Sequence, residues 1–144
     1  MTAITNNDPI WKARLRDAGL RVTRPRVVIL ELLSETGGHE TADRVNEMLK
    51  SAGTPLTRGT VYNVLDDLVA AGLVMQADRG PGTAIYEIAT EWHHHFVCGQ
   101  CGAVIDVPCV VGEKPCLHAE LPGADLTEAQ IIFRGTCADC VAKR

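Results

Sequence analysis

Apolar residues recur at helical spacing through the first half of the chain and in short runs through the second. Val61, Val64, Leu65 and Leu68 fall at i, i+3, i+4 and i+7, the stripe of an amphipathic helix opening at Thr57 and running to about Ala71. Gly72 stands where a C-cap belongs. Upstream, Ala42, Val45, Met48 and Leu49 give a second stripe behind Thr41, a natural N-cap, with Gly53-Thr54-Pro55 closing it. Val27, Val28, Leu30, Leu32 and Leu33 give a third, which Thr23-Arg24-Pro25 opens and Gly37-Gly38 stops. A short helix over residues 9–18, ending at Gly19, precedes it. After these come strands over 73–77 and 84–88, joined by the turn-rich Asp78-Arg79-Gly80-Pro81-Gly82. Helices followed by a β-hairpin are the order of a winged helix-turn-helix.

The remainder reads as a small α/β unit. Residues 89–95 are polar and histidine-rich, which suits a hinge. Strands are predicted over 103–107 and 129–133, and a short helix over 115–121. The expected class is α+β: a winged-helix domain over 1–88, a hinge over 89–95 and a second domain over 96–144. No run of about 18 apolar residues is present, so no membrane-spanning helix is predicted. The first six residues carry neither a basic nor an apolar signal region, and a cytoplasmic location is expected.

Composition changes this picture in one respect. Aromatics make up only 4% of the 144 residues, so each half can bury a modest core, and a structural metal would offset that weakness. Charge changes it in another. The net charge of −4 argues against nucleic acid until it is divided along the chain. Residues 1–79 hold ten Lys/Arg and ten Asp/Glu; residues 80–144 hold four and eight, and carry the whole excess. Within the first 26 residues Lys12, Arg14, Arg16, Arg21, Arg24 and Arg26 face only Asp8 and Asp17, the local basic surface that phosphate contact needs.

Candidate chemistry concentrates in the second half. Cys98-Gly-Gln-Cys101 and Cys137-Ala-Asp-Cys140 offer four thiolates to one ion, the pattern of a closed structural zinc site. The competing reading is a redox dithiol. Cys109 and Cys116 stand outside the knuckles as plain buried thiols or as an oxidant-responsive pair. His93 and His95 share one face of an extended segment and can reach one ion, while His94 points away; the alternative is solvated histidines. Glu87, Asp106 and His39 are candidates to complete the shell, and such a mixed N/O set suits Fe(II) or Mn(II) better than a thiolate site does. Thr57-Arg58-Gly59-Thr60-Val61-Tyr62-Asn63 has the composition of a recognition helix that enters the major groove by its N-terminal residues. It also suits an ordinary solvated helix start.

Taken together, Leu20-Arg21-Val22-Thr23-Arg24-Pro25-Arg26, Thr60-Val61-Tyr62-Asn63-Val64-Leu65, Ala71-Gly72-Leu73-Val74, the segment from His93 to Gly102 and Gly135-Thr136-Cys137-Ala138-Asp139-Cys140 resemble the Fur family of metal-dependent bacterial repressors over nearly the whole chain. The resemblance implies a homodimer on double-stranded operator DNA, and a dimerisation domain held by the four-cysteine zinc. It implies a regulatory Fe2+ or Mn2+ at His39, Glu87, His93, His95 and Asp106, and DNA contacts from Arg21, Arg24, Arg58, Thr60, Tyr62 and Asn63. A third metal site common in relatives maps to Trp92, His94, Glu113 and Ala129; Trp and Ala cannot ligate, so no ordinary third site is expected.

Within the family the chain resembles the peroxide-responsive and actinobacterial FurA/CatR-like branch. The cues are Asp106 where iron-uptake repressors usually carry Glu, Asn63 after the recognition Tyr, and the Cys109/Cys116 pair. Derepression by hydrogen peroxide through the Fe(II) site is the expectation, with an iron-, manganese-, nickel- or zinc-responsive repressor as the alternative. Glu87, where zinc sensors usually carry Cys, argues against zinc sensing. A His/carboxylate metalloenzyme is a further class, but a five-ligand shell leaves little room for a small organic substrate. A zinc-storage or redox protein leaves residues 20–74 without a use.

Overall fold

Each helix of the first half begins where a short hydroxyl or carboxylate side chain can satisfy its open N–H groups. In the computed structural model, which describes Ile4 and residues 7–144, Asp8 caps α1 (Pro9–Asp17) by accepting from the Ile10 amide. Thr23, Thr41 and Thr57 do the same for α2 (Arg24–Thr36), α3 (Ala42–Ser51) and α4 (Arg58–Ala70). Four helices in succession thus carry their own start signals. The signal-peptide reading concerns residues that, Ile4 apart, lie outside those described.

The chain divides between Ala89 and Thr90 into two units. In the first, the stripes predicted from periodicity meet: Leu15, Ile29, Leu30, Leu33, Val45, Leu49, Leu65 and Leu68 are wholly buried. Buried Glu31 is not orphaned there; its Oε1 accepts from the backbone N–H of Asp8 at 3.1 Å and of Asn7 at 3.3 Å, tying the start of α1 to α2. β1 (Val74–Gly80) and β2 (Thr83–Ile88) form an antiparallel hairpin from Val74↔Ile88 to Gly80↔Thr83. The expected five-residue connection is shorter than predicted. Pairing continues through a bulge between Asp78 and Gly80, and Gly82 turns the chain at a φ of +72°.

The second unit is a three-stranded sheet in the order β4-β3-β5. β3 (His93–Cys98) lies between antiparallel β4 (Val104–Pro108) and parallel β5 (Ile132–Gly135). His93, His94 and His95 therefore belong to β3 and not to the connection, which is shorter than residues 89–95. The short helix α5 (Ala138–Ala142), not predicted from the sequence, follows the second knuckle. The helix expected over 115–121 does not form. Leu117 and Leu121, its only apolar i, i+4 pair, are more than half exposed, and a seven-residue helix without a buried face does not offset its nucleation cost.

Candidate metal centres and nucleic-acid face

Parallel pairing of β3 with β5 sets Cys98 opposite Gly135. The Gly99 amide donates to the Gly135 carbonyl at 2.8 Å, so two knuckles 35 residues apart in sequence open side by side. The sulfurs of Cys98, Cys101, Cys137 and Cys140 lie within 4.8 Å of one another, with Cys101 and Cys137 at 3.8 Å. Four sulfurs held about 2.3 Å from one zinc stand about 3.8 Å apart, so this cluster fits that ion. The Cys101 and Cys137 amides donate to the Cys98 sulfur and bring its pKa down to about 6. The Cys140 thiol is pushed up to about 12, first by its hydrogen bond with Cys137, then by burial and the other sulfurs. Thiols this close share protons unequally; only a cation lets all four be thiolates at once.

The five residues assigned to the regulatory ion fall into two groups. In the first unit, the Glu40 and Tyr86 backbones exchange hydrogen bonds of 3.2 and 2.8 Å, pinning the loop after α2 to β2. His39, at a φ of +62°, thereby sets its Nε2 3.2 Å from Glu87 Oε2. Gly38 must be glycine for this approach: its φ is +88°, and an added Cβ would collide with that of Glu87. In the second unit, the i, i+2 spacing on β3 puts His93 and His95 on one face, ring centroids 4.8 Å apart. β4 pairs His95 with Asp106, whose Oδ1 stands 3.4 Å from His93 Nε2 and 3.5 Å from His95 Nε2. His93 donates Nδ1–H to the Glu91 carbonyl at 2.9 Å, the hydrogen bond that leaves Nε2 with a lone pair for a metal. Both groups are N/O donor sets free of sulfur.

His94 occupies the opposite face and meets Cys116, with Nε2 3.3 Å from its sulfur; Cys109 joins the same cluster. Periodicity showed that His94 turns away from its neighbours, but not what it turns toward. Ala129 enters here only through its carbonyl, which accepts from Cys116, and Trp92 packs edge-on against the His94 ring.

The proposed DNA contacts cluster at the start of α4 and around the start of α2. Arg58, Tyr62 and Asn63 are exposed, and Thr60 is half-buried, its hydroxyl 2.8 Å from that of Thr57. The Arg58 guanidinium lies over the Tyr62 ring, 5.5 Å from its centroid, and 3.4 Å from Asp43. Arg21 and Arg24 are exposed. Arg26 is spent internally: it donates to Asp67 at 2.9 Å and to the Arg21 carbonyl at 2.8 Å, joining α2 to α4 and drawing one cation away from the basic surface expected for the N-terminus.

Residues 17–115 match the Ferric uptake regulator family. The transcriptional regulator FurA of Mycobacterium tuberculosis is 42% identical over 134 residues, spanning 92% of this chain and 90% of its own. The structure of the ferric uptake regulator from Pseudomonas aeruginosa with manganese superposes with a TM-score of 0.68 at 32% identity, over 90% of this chain and 98% of that one. That of the Francisella tularensis regulator with iron does so with a TM-score of 0.65 at 25% identity, over 85% and 96%. With its capped helices, wing hairpin and paired cysteine knuckles, this chain belongs to the Fur family, a family of metal-responsive transcriptional regulators and not of enzymes.

Proposed function

We propose that the chain is a cytoplasmic repressor that binds operator DNA as a homodimer when a divalent ion, Fe2+ or Mn2+, occupies a site built from His39, Glu87, His93, His95 and Asp106. The observation that carries this reading is the donor chemistry. A His/carboxylate pair in the DNA-binding unit and a His/His/carboxylate triplet in the other are sulfur-free sets suited to harder ions, distinct in chemistry from the four-thiolate set suited to zinc. An ion bound by residues of both units would restrict the orientations open to the reading heads and raise the fraction competent for two half-sites. The dimer has support in the second unit. Ile105, Phe96 and Phe133 form a row across its three strands, and Ile105 and Phe133 are each 47% exposed. A second copy would cover such an apolar row.

The test is binding to a promoter duplex with and without Fe(II), Mn(II) and Zn(II), using two variants of the DNA face. Tyr62→Ala should reduce discrimination between operator and unrelated duplex. Arg24→Ala should weaken all duplexes alike and lower the salt slope by about 1. Unchanged binding by both variants would remove these residues from the interface.

Peroxide is the proposed signal. Fe(II), when bound, supplies electrons for peroxide reduction beside the imidazoles that hold it; Mn(II) does not readily do so. Asp106 is one methylene shorter than Glu and its side chain is half exposed, which leaves the triplet accessible. The Fe(II) form is expected to release DNA on peroxide treatment, with oxygen added at His39, His93 or His95, while the Mn(II) form stays bound. Retention of DNA by both forms would leave an iron- or manganese-responsive repressor without this sense.

A further inference from the structure

The cluster behind β3 has no part in either metal set. Its histidine is held in one tautomer by the backbone. The Ile131 N–H donates to His94 Nδ1 at 3.3 Å, so Nδ1 carries a lone pair and a neutral ring bears its proton on Nε2. That Nε2–H points at the Cys116 sulfur, 3.3 Å away. A metal on Nε2 would need the lone pair there and would break the Ile131 hydrogen bond. The arrangement therefore suits a hydrogen-bonded sulfur better than a third ligand set. Cys116 in turn donates its S–H toward the Ala129 carbonyl at 3.7 Å.

Cys109 faces a different environment. The chain turns at Gly112, with a φ of +82°, and sends the Gly112 N–H back to the Cys109 sulfur at 3.4 Å. That amide is the largest cause of a lowered Cys109 pKa; burial opposes it, and the Val111 amide and the Cys116 thiol add smaller lowering effects. Cys109 also lines a surface cleft with Trp92, Pro108 and Gly112 and with His93 and Asp106 of the triplet, an approach for a small polar oxidant.

We propose that Cys109 and Cys116 form an oxidant-responsive dithiol, in which Cys109 is the attacking thiolate and Cys116, positioned by His94 and the Ala129 carbonyl, is the resolving thiol. The oxidant is hydrogen peroxide. The Cys109 thiolate attacks one peroxide oxygen; the S–O bond forms, the O–O bond breaks and hydroxide leaves. Hydroxide takes the proton of the Cys116 thiol. The Cys116 thiolate then attacks the Cys109 sulfur, the S–S bond forms, and the sulfenic oxygen departs as hydroxide. Two thiols are oxidised by two electrons and one peroxide is reduced to water and hydroxide. A disulfide brings the sulfurs to about 2.05 Å, so Cys116 must leave His94 and Ala129 as it closes. This inference goes beyond the ion-centred peroxide reading and needs no bound iron.

The experiment uses the full chain, zinc-loaded and free of iron, treated with hydrogen peroxide, quenched with an alkylating reagent and mapped by peptide mass. The expected product is a Cys109–Cys116 disulfide that dithiothreitol reverses, formed before zinc leaves the knuckles. Cys116→Ser should leave a sulfenic acid at Cys109 that dimedone captures. Cys109→Ser should slow oxidation of Cys116 at least tenfold. Equal oxidation of Cys116 in Cys109→Ser would overturn the assignment of roles. A disulfide that forms only after zinc release, or a second equivalent of zinc that shields both thiols from alkylation and is lost in Cys116→Ser, would overturn the proposal itself. Failure of the DNA-binding tests leaves these outcomes unaffected, because the readout is the bond and not the operator.

Discussion

Replacing Cys98 or Cys137 by serine is expected to release about one zinc per chain, unfold the second unit and abolish the dimer. The size of the effect follows from how little else holds that unit. Among its described residues only Val97, Cys98 and Cys137 are buried apolar side chains, whereas the first unit buries an extended cluster on α1 to α4. Structural zinc in small domains contributes apparent binding energy on the order of 10 kcal/mol, most of a small domain's stability. The knuckles are also the hinge pin of the topology: Cys98 ends β3, and the Cys137 amide donates to its sulfur at 3.3 Å. The first unit should keep its helices, which circular dichroism would report, while zinc content and sedimentation report the loss. A zinc-free Cys98→Ser chain that remains a stable dimer would refute this.

Replacing His93 or Asp106 by alanine is expected to abolish metal-activated operator binding while leaving fold and zinc intact. These side chains lie on one face of β3 and β4, and the knuckle sulfurs make no use of them. Asp106 is the shared neighbour of both imidazoles, within 3.5 Å of each Nε2, and its loss would take the carboxylate out of the triplet and leave Glu87 as the one anionic ligand proposed for the divalent ion. The expected readout is an operator affinity no longer raised by Fe(II) or Mn(II), with unchanged zinc content and unchanged thermal unfolding. A variant that still binds operator only when one of these ions is added would show the ligand set to be wrong.

Much of this protein was legible because its signals are local. Threonine caps, the i, i+3, i+4, i+7 stripe of Val61 to Leu68 and the glycine stops are read within one turn of helix, and the buried faces follow them. The four knuckle cysteines were legible for a similar reason, since only two residues separate the members of each pair. Periodicity likewise put His93 and His95 on one face and His94 on the other. Local reading failed where no local signal decides. The segment 115–121 has helix-compatible residues, but nothing in its own unit covers Leu117 and Leu121, and it stays irregular. The connection around 89–95 looked like a hinge because histidines are polar, yet pairing with β4 and β5 drew His93 to His95 into the central strand.

Tertiary structure alone decided the long-range partners. Residues far apart in sequence acquire them only after strands choose their neighbours, and no periodicity records that choice. The Glu40–Tyr86 bridge that aims His39 at Glu87, the pairing of Arg26 with Asp67 and the meeting of His94 with Cys116 all depend on it. Local patterns in the chain set the four helices of the first unit, the cysteine knuckles and the face of the metal-ligand candidates; the strand order determined which thiol faces which imidazole.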